Sequence, residues 1–170
     1  LEAALNSTDA PPMIDWNKKT DRELIDFLVN VHHASLHRQL PEFDRWFVRA
    51  LKVHADHIGE LLPVYKLFTA LRTELEPHLL KEEMMVFPAI LNRRPPEEMK
   101  SVLKELEAEH AGAGDTLRKL NALTDGYKTP EFACPTVEML YDGLMRLESA
   151  LHDHIYLENN ILFPRAVAKK

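Results

Sequence analysis

The sequence predicts an all-α protein, folded as an up-down-up-down four-helix bundle with a pseudo-twofold repeat of helical hairpins. Only five of the 170 residues are glycine, and the abundance of Leu, Glu, Ala and Lys favours helices over strands and turns. From Lys19 onward, apolar residues recur at intervals of three and four, which is the period of one helix face. The segments HLLKEEMMVFP, from His78, and HIYLENNILFP, from His154, share a His, a Glu four residues later and a closing Phe-Pro. The chain therefore reads as two similar halves.

Helix start and stop signals divide the chain into four long helices. The expected spans are about 21–58, with Pro41 kinking or dividing the helix, then 60–87, with Pro88 near its end, then 96–123 and 136–163. Short connections join these spans, so that sequential helices are expected to lie antiparallel in a bundle.

The first residues differ in character from the rest. The chain opens on Leu1, and LEAAL resembles the end of a helix followed by the polar, proline-containing NSTDAPPM. We therefore expect residues 1–18 to be a linker or a remnant of a preceding N-terminal domain, and residues 19–170 to form one helical domain.

Composition excludes several classes of function. A net charge of -6 without clustered Lys or Arg argues against a nucleic-acid partner. The single cysteine, Cys134, cannot form an internal disulfide, which is typical of a reducing compartment. No apolar run approaches the roughly 20 residues that span a bilayer, and no signal peptide is visible. We expect a cytoplasmic protein that has no membrane partner.

Each expected helix carries one histidine on its apolar stripe. These four are His33, His78, His110 and His154. They are separated by 77 residues between the first and third helices and by 76 between the second and fourth, and the two histidines of each hairpin return to the same level. Glu82 and Glu158, one turn after a histidine, lie about 40° round the same face and can reach the same point.

Six such groups inside a core indicate a metal site. A buried carboxylate without a partner loses its charge or destabilises the fold. A pair of cations removes that cost if two carboxylates bridge them and two imidazoles bind each one. Imidazole and carboxylate without thiolate suit iron, manganese or zinc, and bundle cores hold carboxylate-bridged di-iron centres. The alternative is a polar core network without metal.

The other histidines have simpler interpretations. His54 lies 21 residues after His33, about 31 Å along a straight helix, so it is a fifth ligand only if Pro41 reverses the chain. We expect His57 in a surface turn, His32 turned away from His33, and His152 in solvent. His37 either supports a ligand or, as we expect, only lines the core.

Two acids and four apolar residues lie beside the expected site. Glu74 and Glu109 could hydrogen-bond a ligand imidazole or line an access path, although a solvated helix face also explains each of them. Packing of the core beside the metals is expected for the remaining four, which are Met84, Met85, Phe87 and Phe163.

The motifs HRQLPEF, KVHAD, HLLKEEMMVFP, EAEH and HIYLENNILFPRA occur in this order over nearly the whole chain. In this the chain resembles the hemerythrin-like, or HHE cation-binding, domains. Within them it is similar to the Repair of Iron Centers family of bacterial di-iron proteins, also called iron-sulfur cluster repair proteins. The resemblance implies six iron ligands, which are His33, His78, Glu82, His110, His154 and Glu158.

The chain also departs from these families. Hemerythrin has a further histidine four residues after the ligand of the third helix, where this chain has Gly114. Full-length members of the repair family carry a small N-terminal domain with a cysteine motif, which has no counterpart here. An activity that needs those cysteines is not expected from these residues alone.

The resemblance also implies a function. The resemblance implies two non-haem irons with an oxo or hydroxo bridge, which would leave about four of twelve coordination positions for bridges and small ligands. The expected role is protection or repair of iron-sulfur clusters and iron centres damaged by nitric oxide or oxidants, with nitric oxide, oxygen and damaged iron-sulfur proteins as partners. Alternatives are reversible O₂ or NO binding or sensing, and NO or peroxide reduction, for which no flavin or nicotinamide motif is evident. The chain is expected to be a monomer or a homodimer.

Overall fold

The computed structural model describes residues 14–168, which form four long helices. The first helix consists of Asp21–Phe27, Leu28–His33 and Ala34–Val53, and the second of Ile58–Lys81, Glu82–Val86 and Phe87–Leu91. The third is Pro96–Leu123, and the fourth consists of Pro135–Leu157, Glu158–Leu162 and Phe163–Val167. The middle segment of each three-part helix is a π-helical turn. Short 3₁₀ turns occupy Trp16–Lys18 and Ala55–His57.

The four helices pack in a ring. The first contacts the second and the fourth, and the third also contacts the second and the fourth. Since each connection between sequential helices is short, neighbours run antiparallel. The predicted all-α bundle is confirmed.

Local signals in the sequence set the helix ends. Thr20 begins the first helix with a capping box, in which its hydroxyl accepts from the Glu23 N–H and the Glu23 carboxylate accepts from the Thr20 N–H. Pro96 and Pro135 stand at the first position of the third and fourth helices, where a missing N–H is tolerated. The second helix ends at Leu91, and two residues later Arg93 adopts a positive φ of 54°.

The structure corrects the predicted end of the first helix and rules out one of the two effects predicted for Pro41, the division of the helix. It ends at Val53, short of the expected boundary near residue 58, because His54 leaves the helical conformation with φ -112° and ψ 52°. Pro41 does not divide it, because it lies inside the continuous segment Ala34–Val53. A proline inside a helix costs one backbone hydrogen bond, and the buried stripe that continues on both sides of Pro41 offsets that loss.

The Phe-Pro pairs of the repeat do not end their helices. Pro88 and Pro164 each occupy the first turn of a further α-helical segment, so that the second and fourth helices run about one turn longer than predicted. Each pair follows a π-helical turn, whose wider backbone spacing interrupts the regular α-helical hydrogen bonds. A proline directly after such a turn therefore removes few backbone hydrogen bonds that the helix would otherwise form.

Two apolar clusters lie along the bundle, with a polar layer between them. One is built from residues such as Phe47, Phe68 and Leu144. The other is built from residues such as Leu24 and Phe163. The inward histidines lie between the two clusters. Apolar side chains therefore shield the polar atoms of these histidines from solvent at both ends of the layer.

The prediction for the residues beside this layer holds only in part. Phe87 and Phe163 are 2% exposed, as expected. Met84 and Met85 are 69% and 64% exposed, so their predicted place in the core is wrong. Met84 lies about 200° round the helix from Glu82, so it faces outward even in a regular α-helix. The π-helical turn Glu82–Val86 rotates the residues that follow Glu82 relative to a regular α-helix and turns Met85 outward as well.

Part of the segment interpreted as a linker lies against the bundle. The Trp16 ring lies 4.6 Å from that of Phe27, centroid to centroid. Arg165 donates hydrogen bonds to the carbonyl oxygens of Trp16 and Lys19. Residues 1–13 lie outside the described residues, and the boundary at residue 18 stays a prediction.

Candidate metal centre

The structure brings the six predicted side chains together in the polar layer. Their exposed fractions are at most 5%: His33 0%, His78 5%, Glu82 0%, His110 5%, His154 1% and Glu158 0%. Glu82 and Glu158 each begin a π-helical turn, the kind of helix irregularity that is common at functional sites. Two fully buried carboxylates therefore share one pocket with four imidazoles.

The Glu82 carboxylate faces a different histidine pair with each of its oxygens. Its Oε1 lies 3.1 Å from His78 Nε2 and 3.8 Å from His110 Nε2. Its Oε2 lies 3.5 Å from His33 Nε2 and 3.8 Å from His154 Nε2. Each oxygen thus belongs to a separate group of nitrogen donors.

Glu158 also lies close to one histidine of each pair. Its Oε2 lies 2.9 Å from His154 Nε2 and 3.2 Å from His110 Nε2. Two compact sets of possible ligand atoms result, and both contain the two carboxylates. One set is His33, Glu82, His154 and Glu158, and the other is His78, Glu82, His110 and Glu158.

The donor atoms of the centre fit a bound cation. Within residues 14–168, His33 Nε2 and all four carboxylate oxygens of Glu82 and Glu158 are buried and have no hydrogen-bond partner. The imidazoles of His78 and His110 also place their Nε2 atoms 3.0 Å apart. Buried polar atoms are nearly always hydrogen-bonded, so lone pairs that converge without donors indicate a positive ion at their common focus.

The charged groups of the layer shift one another's pKa values. Burial would lower the pKa of His154, but Glu158 and Glu82 raise it to about 10. Burial would likewise raise the pKa of Glu158, yet His154 and His110 hold it well below its usual range. For His33, burial and the neighbouring His154 lower the pKa. Glu158 therefore stays charged, and in the metal-free centre a protonated His154 supplies the positive charge that a bound cation would replace.

Three of the four histidines are held by an acceptor behind the ring. Glu109 lies 2.6 Å from His78 Nδ1, and Glu83 lies 2.8 Å from His33 Nδ1. The third acceptor is the Asn159 amide oxygen, 2.8 Å from His110 Nδ1. Carboxylate oxygens only accept, so the ring protons are on Nδ1 and the Nε2 lone pairs face the centre.

Of these acceptors, sequence reasoning named only Glu109. Glu83 and Asn159 were missed, although both directly follow the glutamate of a repeated segment, at equivalent positions of HLLKEEMMVFP and HIYLENNILFP. A search for polar residues at equivalent positions of the repeat would have found them.

The remaining histidines lie outside the centre. His54 terminates the first helix beside Cys134, where its imidazole and the N–H groups of Val137 and Thr136 lower the pKa of the thiol to about 7. His57 stacks on Phe132 in a turn, with ring centroids 3.9 Å apart.

Two more histidines lie near the centre. His37 is 48% exposed, so its expected core position is wrong, but its Nε2 lies 3.2 Å from Glu83 Oε1. His32 is partly buried and presents its ring edge-on to His154. His152 is exposed, as expected.

A cavity of about 640 Å³ lies between the second, third and fourth helices and reaches the centre. His78, His110 and His154 form part of its wall. The rest is largely hydrocarbon from leucine, alanine and proline side chains. Glu74 is exposed, lines the cavity and makes no hydrogen bond to an imidazole among the described residues. Its place is compatible with an access path and with a solvated helix face, but not with support of a ligand imidazole.

Helices in this order and a buried layer of four histidines and two shared glutamates define a bundle protein of the cation-binding class. The sequence model of the hemerythrin HHE cation binding domain matches residues 22–166. The chain belongs to this family.

The curated relatives carry a more specific name. The chain is 36% identical to proteins named iron-sulfur cluster repair protein YtfE from Escherichia coli O157:H7, E. coli strain K12 / DH10B and Shigella boydii serotype 18. Each similarity extends over 169 residues, which is 99% of this chain and 76% of the relative. Among the described residues, no helix is both long and apolar enough to cross a membrane.

Proposed function

We propose that this chain is a di-iron protein that protects or repairs iron-sulfur clusters and other iron centres damaged by nitric oxide or oxidants, by supplying iron or by handling nitric oxide. His33 and His154 would hold one iron and His78 and His110 the other, with Glu82 and Glu158 shared between the two sets of ligands. The proposal is supported by family membership, by the name that the relatives carry and by one geometric observation. That observation is the Glu82 carboxylate, which turns one oxygen to each histidine pair.

The residues around the iron pair favour a site that can exchange ligands and metal. When bound, the irons supply redox-active positions for small ligands, and oxo or hydroxo bridging is part of the proposal. Thiolates are absent from both ligand sets, so the irons are held by borderline and hard donors. The largely apolar cavity that reaches His110 offers a route for small uncharged molecules.

Partners and location follow from the same proposal. Nitric oxide and oxygen are the proposed small ligands, and damaged iron-sulfur proteins are the proposed recipients of iron. We place the protein in the cytoplasm, since a single free cysteine suits a reducing compartment. It would act as a monomer or a homodimer.

The test combines metal analysis with a repair assay. Iron-loaded protein is mixed with an iron-sulfur hydratase that nitric oxide has inactivated, together with a thiol reductant. We expect two irons per chain and recovery of hydratase activity, whereas Glu82→Gln protein gives no recovery. An equal amount of free Fe²⁺ is the second control. Recovery no greater than with free Fe²⁺ would contradict the repair role.

Reversible O₂ or NO binding is the second candidate, favoured by the cavity that leads to His78 and His110. The optical spectrum of the iron-loaded protein after addition of nitric oxide separates the two roles. A stable adduct without loss of iron supports carriage or sensing. Steady consumption of nitric oxide or peroxide with a reductant would instead identify a reductase.

A further inference from the structure

The two halves of the repeat place different acceptors behind their inward histidines. Glu83 accepts from His33 Nδ1 at 2.8 Å. In the other half, Asn159 accepts from His110 Nδ1, also at 2.8 Å. Since Glu83 and Asn159 occupy the same position of the repeated segment, the repeat keeps an acceptor there and changes its charge.

A second pair of equivalent positions differs more strongly. Glu109 directly precedes His110 and accepts from His78 Nδ1 at 2.6 Å. The equivalent residue before His33 is His32, whose ring lies edge-on to His154 with the centroids 5.7 Å apart. Within residues 14–168, His154 Nδ1 has no hydrogen-bond partner although the residue is 1% exposed. Among the described residues, the first half of the repeat therefore offers no acceptor equivalent to Glu109.

An acceptor on Nδ1 orients a metal-binding imidazole and makes its Nε2 a better donor. Loss of such a contact typically lowers metal affinity about 10- to 100-fold. The pair His78 and His110 has an acceptor behind both rings. The pair His33 and His154 has an acceptor behind only one.

We propose that Glu83 and Asn159 are positioning residues for the two metal positions, and that iron binds more tightly between His78 and His110 than between His33 and His154. This rests on the iron pair of the proposed function and deepens it, because it assigns the more readily released iron to the His33 position.

The surroundings of that position suit release. The Glu83 side chain is 27% exposed and also contacts His37, which is 48% exposed. A short line of polar groups thus connects the more weakly binding position with solvent. Iron that leaves this position need not pass the apolar cavity.

The test is an anaerobic calorimetric titration of the metal-free full chain with Fe²⁺. Wild-type protein is expected to bind two ions in two steps whose affinities differ by roughly 10- to 100-fold. Glu83→Ala weakens the weaker step by a further 10- to 100-fold or so and leaves the stronger one unchanged. Asn159→Ala weakens the stronger step by a similar factor, so that the two steps converge. Glu107→Gln, at an exposed site of the third helix, is the control and leaves both unchanged.

Mössbauer spectra at one equivalent of ⁵⁷Fe²⁺ give a readout that altered folding would not mimic. One equivalent should produce mainly one quadrupole doublet, and a second doublet should grow with the second equivalent. Glu83→Ala should alter only the second doublet. Asn159→Asp keeps an acceptor and should restore the strong step that Asn159→Ala loses. Thermal unfolding of the metal-free variants shows whether they remain folded.

Each result has a distinct meaning. Two equal steps in the wild type, or two unequal steps that neither variant moves, would overturn the inference and leave the proposed function standing. Weakening of the stronger step by Glu83→Ala would reverse the assignment and also overturn it. A wild-type chain that binds no Fe²⁺ would overturn both.

Discussion

Replacing Glu82 by glutamine should abolish tight binding at both metal positions together. The carboxylate is 0% exposed, and its two oxygens face separate histidine pairs at 3.1 and 3.5 Å from the nearest nitrogens. Glutamine has the same shape but carries no charge and offers only one acceptor oxygen. Both ions would therefore lose a charged bridging ligand through a single substitution.

The expected loss of metal affinity can be estimated from the burial of the Glu82 carboxylate. Removing one partner of a buried charged pair costs about 3–5 kcal/mol. At about 1.4 kcal/mol per factor of ten, this corresponds to a loss of affinity of roughly 100- to 4,000-fold. Glu158→Gln should show a similar loss, because Glu158 also lies against both histidine pairs.

The assay is competition of the metal-free protein with a coloured Fe²⁺ chelator under anaerobic conditions. Glu107→Gln, the exposed charge-matched control, should retain wild-type affinity for both ions. If Glu82→Gln weakens only one of the two binding steps, the carboxylate does not bridge, and the reasoning from its geometry is wrong. Wild-type affinity at both steps would refute it altogether.

Three further predictions concern packing and the thiol. Met85→Ala should change the free energy of unfolding by less than about 0.5 kcal/mol, since the side chain is 64% exposed, whereas Phe87→Ala should cost about 3–5 kcal/mol in urea denaturation. Gly143→Ala places a Cβ 2.7 Å from Phe43 Cε1, and such overpacking costs about 1–3 kcal/mol. Alanine gains about 1 kcal/mol of helix propensity over glycine, so the same assay should show a net loss of stability of up to about 2 kcal/mol. The alkylation rate of Cys134 with iodoacetamide should rise with pH and reach half its maximum near pH 7, because only the thiolate reacts and its pKa is about 7.

Each of these has a control and a contradicting result. Gly112→Ala, where an added Cβ meets nothing within 4 Å, should stabilise by up to about 1 kcal/mol, and a Gly143→Ala protein that is equally stabilised would contradict the packing. His54→Ala should move the alkylation midpoint toward the ordinary thiol value of about 8.5. A midpoint that stays near 7 would show that His54 does not act on Cys134. Equal losses for Met85→Ala and Phe87→Ala would contradict the phase of the π-helical turn.

Much of the bundle could be predicted from the sequence because the relevant signals are local and repeated. The spacing of His33 and His110, and of His78 and His154, places one imidazole of each helix at a common level whatever the details of the turns. Proline at the start of the third helix and the end of its apolar stripe also fixed Pro96–Leu123 correctly.

The errors arise where the backbone leaves the regular α-helix. Extrapolating a period of 3.6 from His78 places Met85 on the buried face, but the π-helical turn rotates less per residue, so Val86 and Phe87 are buried instead. Such a turn depends on the packing around the polar layer, and the local sequence does not display it. The π-helical turns also explain why the second helix extends past Pro88 and the fourth past Pro164.

The acceptors behind the histidines required the assembled structure. Glu83 reaches His33 across 50 positions of the chain, and Asn159 reaches His110 across 49. Periodicity reveals which face a residue occupies, but the choice between two helices that both lie within reach depends on how they pack. The repeat alone could have drawn attention to these positions.

The claim that two cations share the two buried glutamates can be tested most directly by diffraction from crystals of the iron-loaded protein at the iron absorption edge. We expect two anomalous peaks, one among His33, His154 and the two carboxylates, the other among His78, His110 and the same carboxylates. A single peak, or a centre that holds no iron in protein prepared with Fe²⁺, would contradict the account.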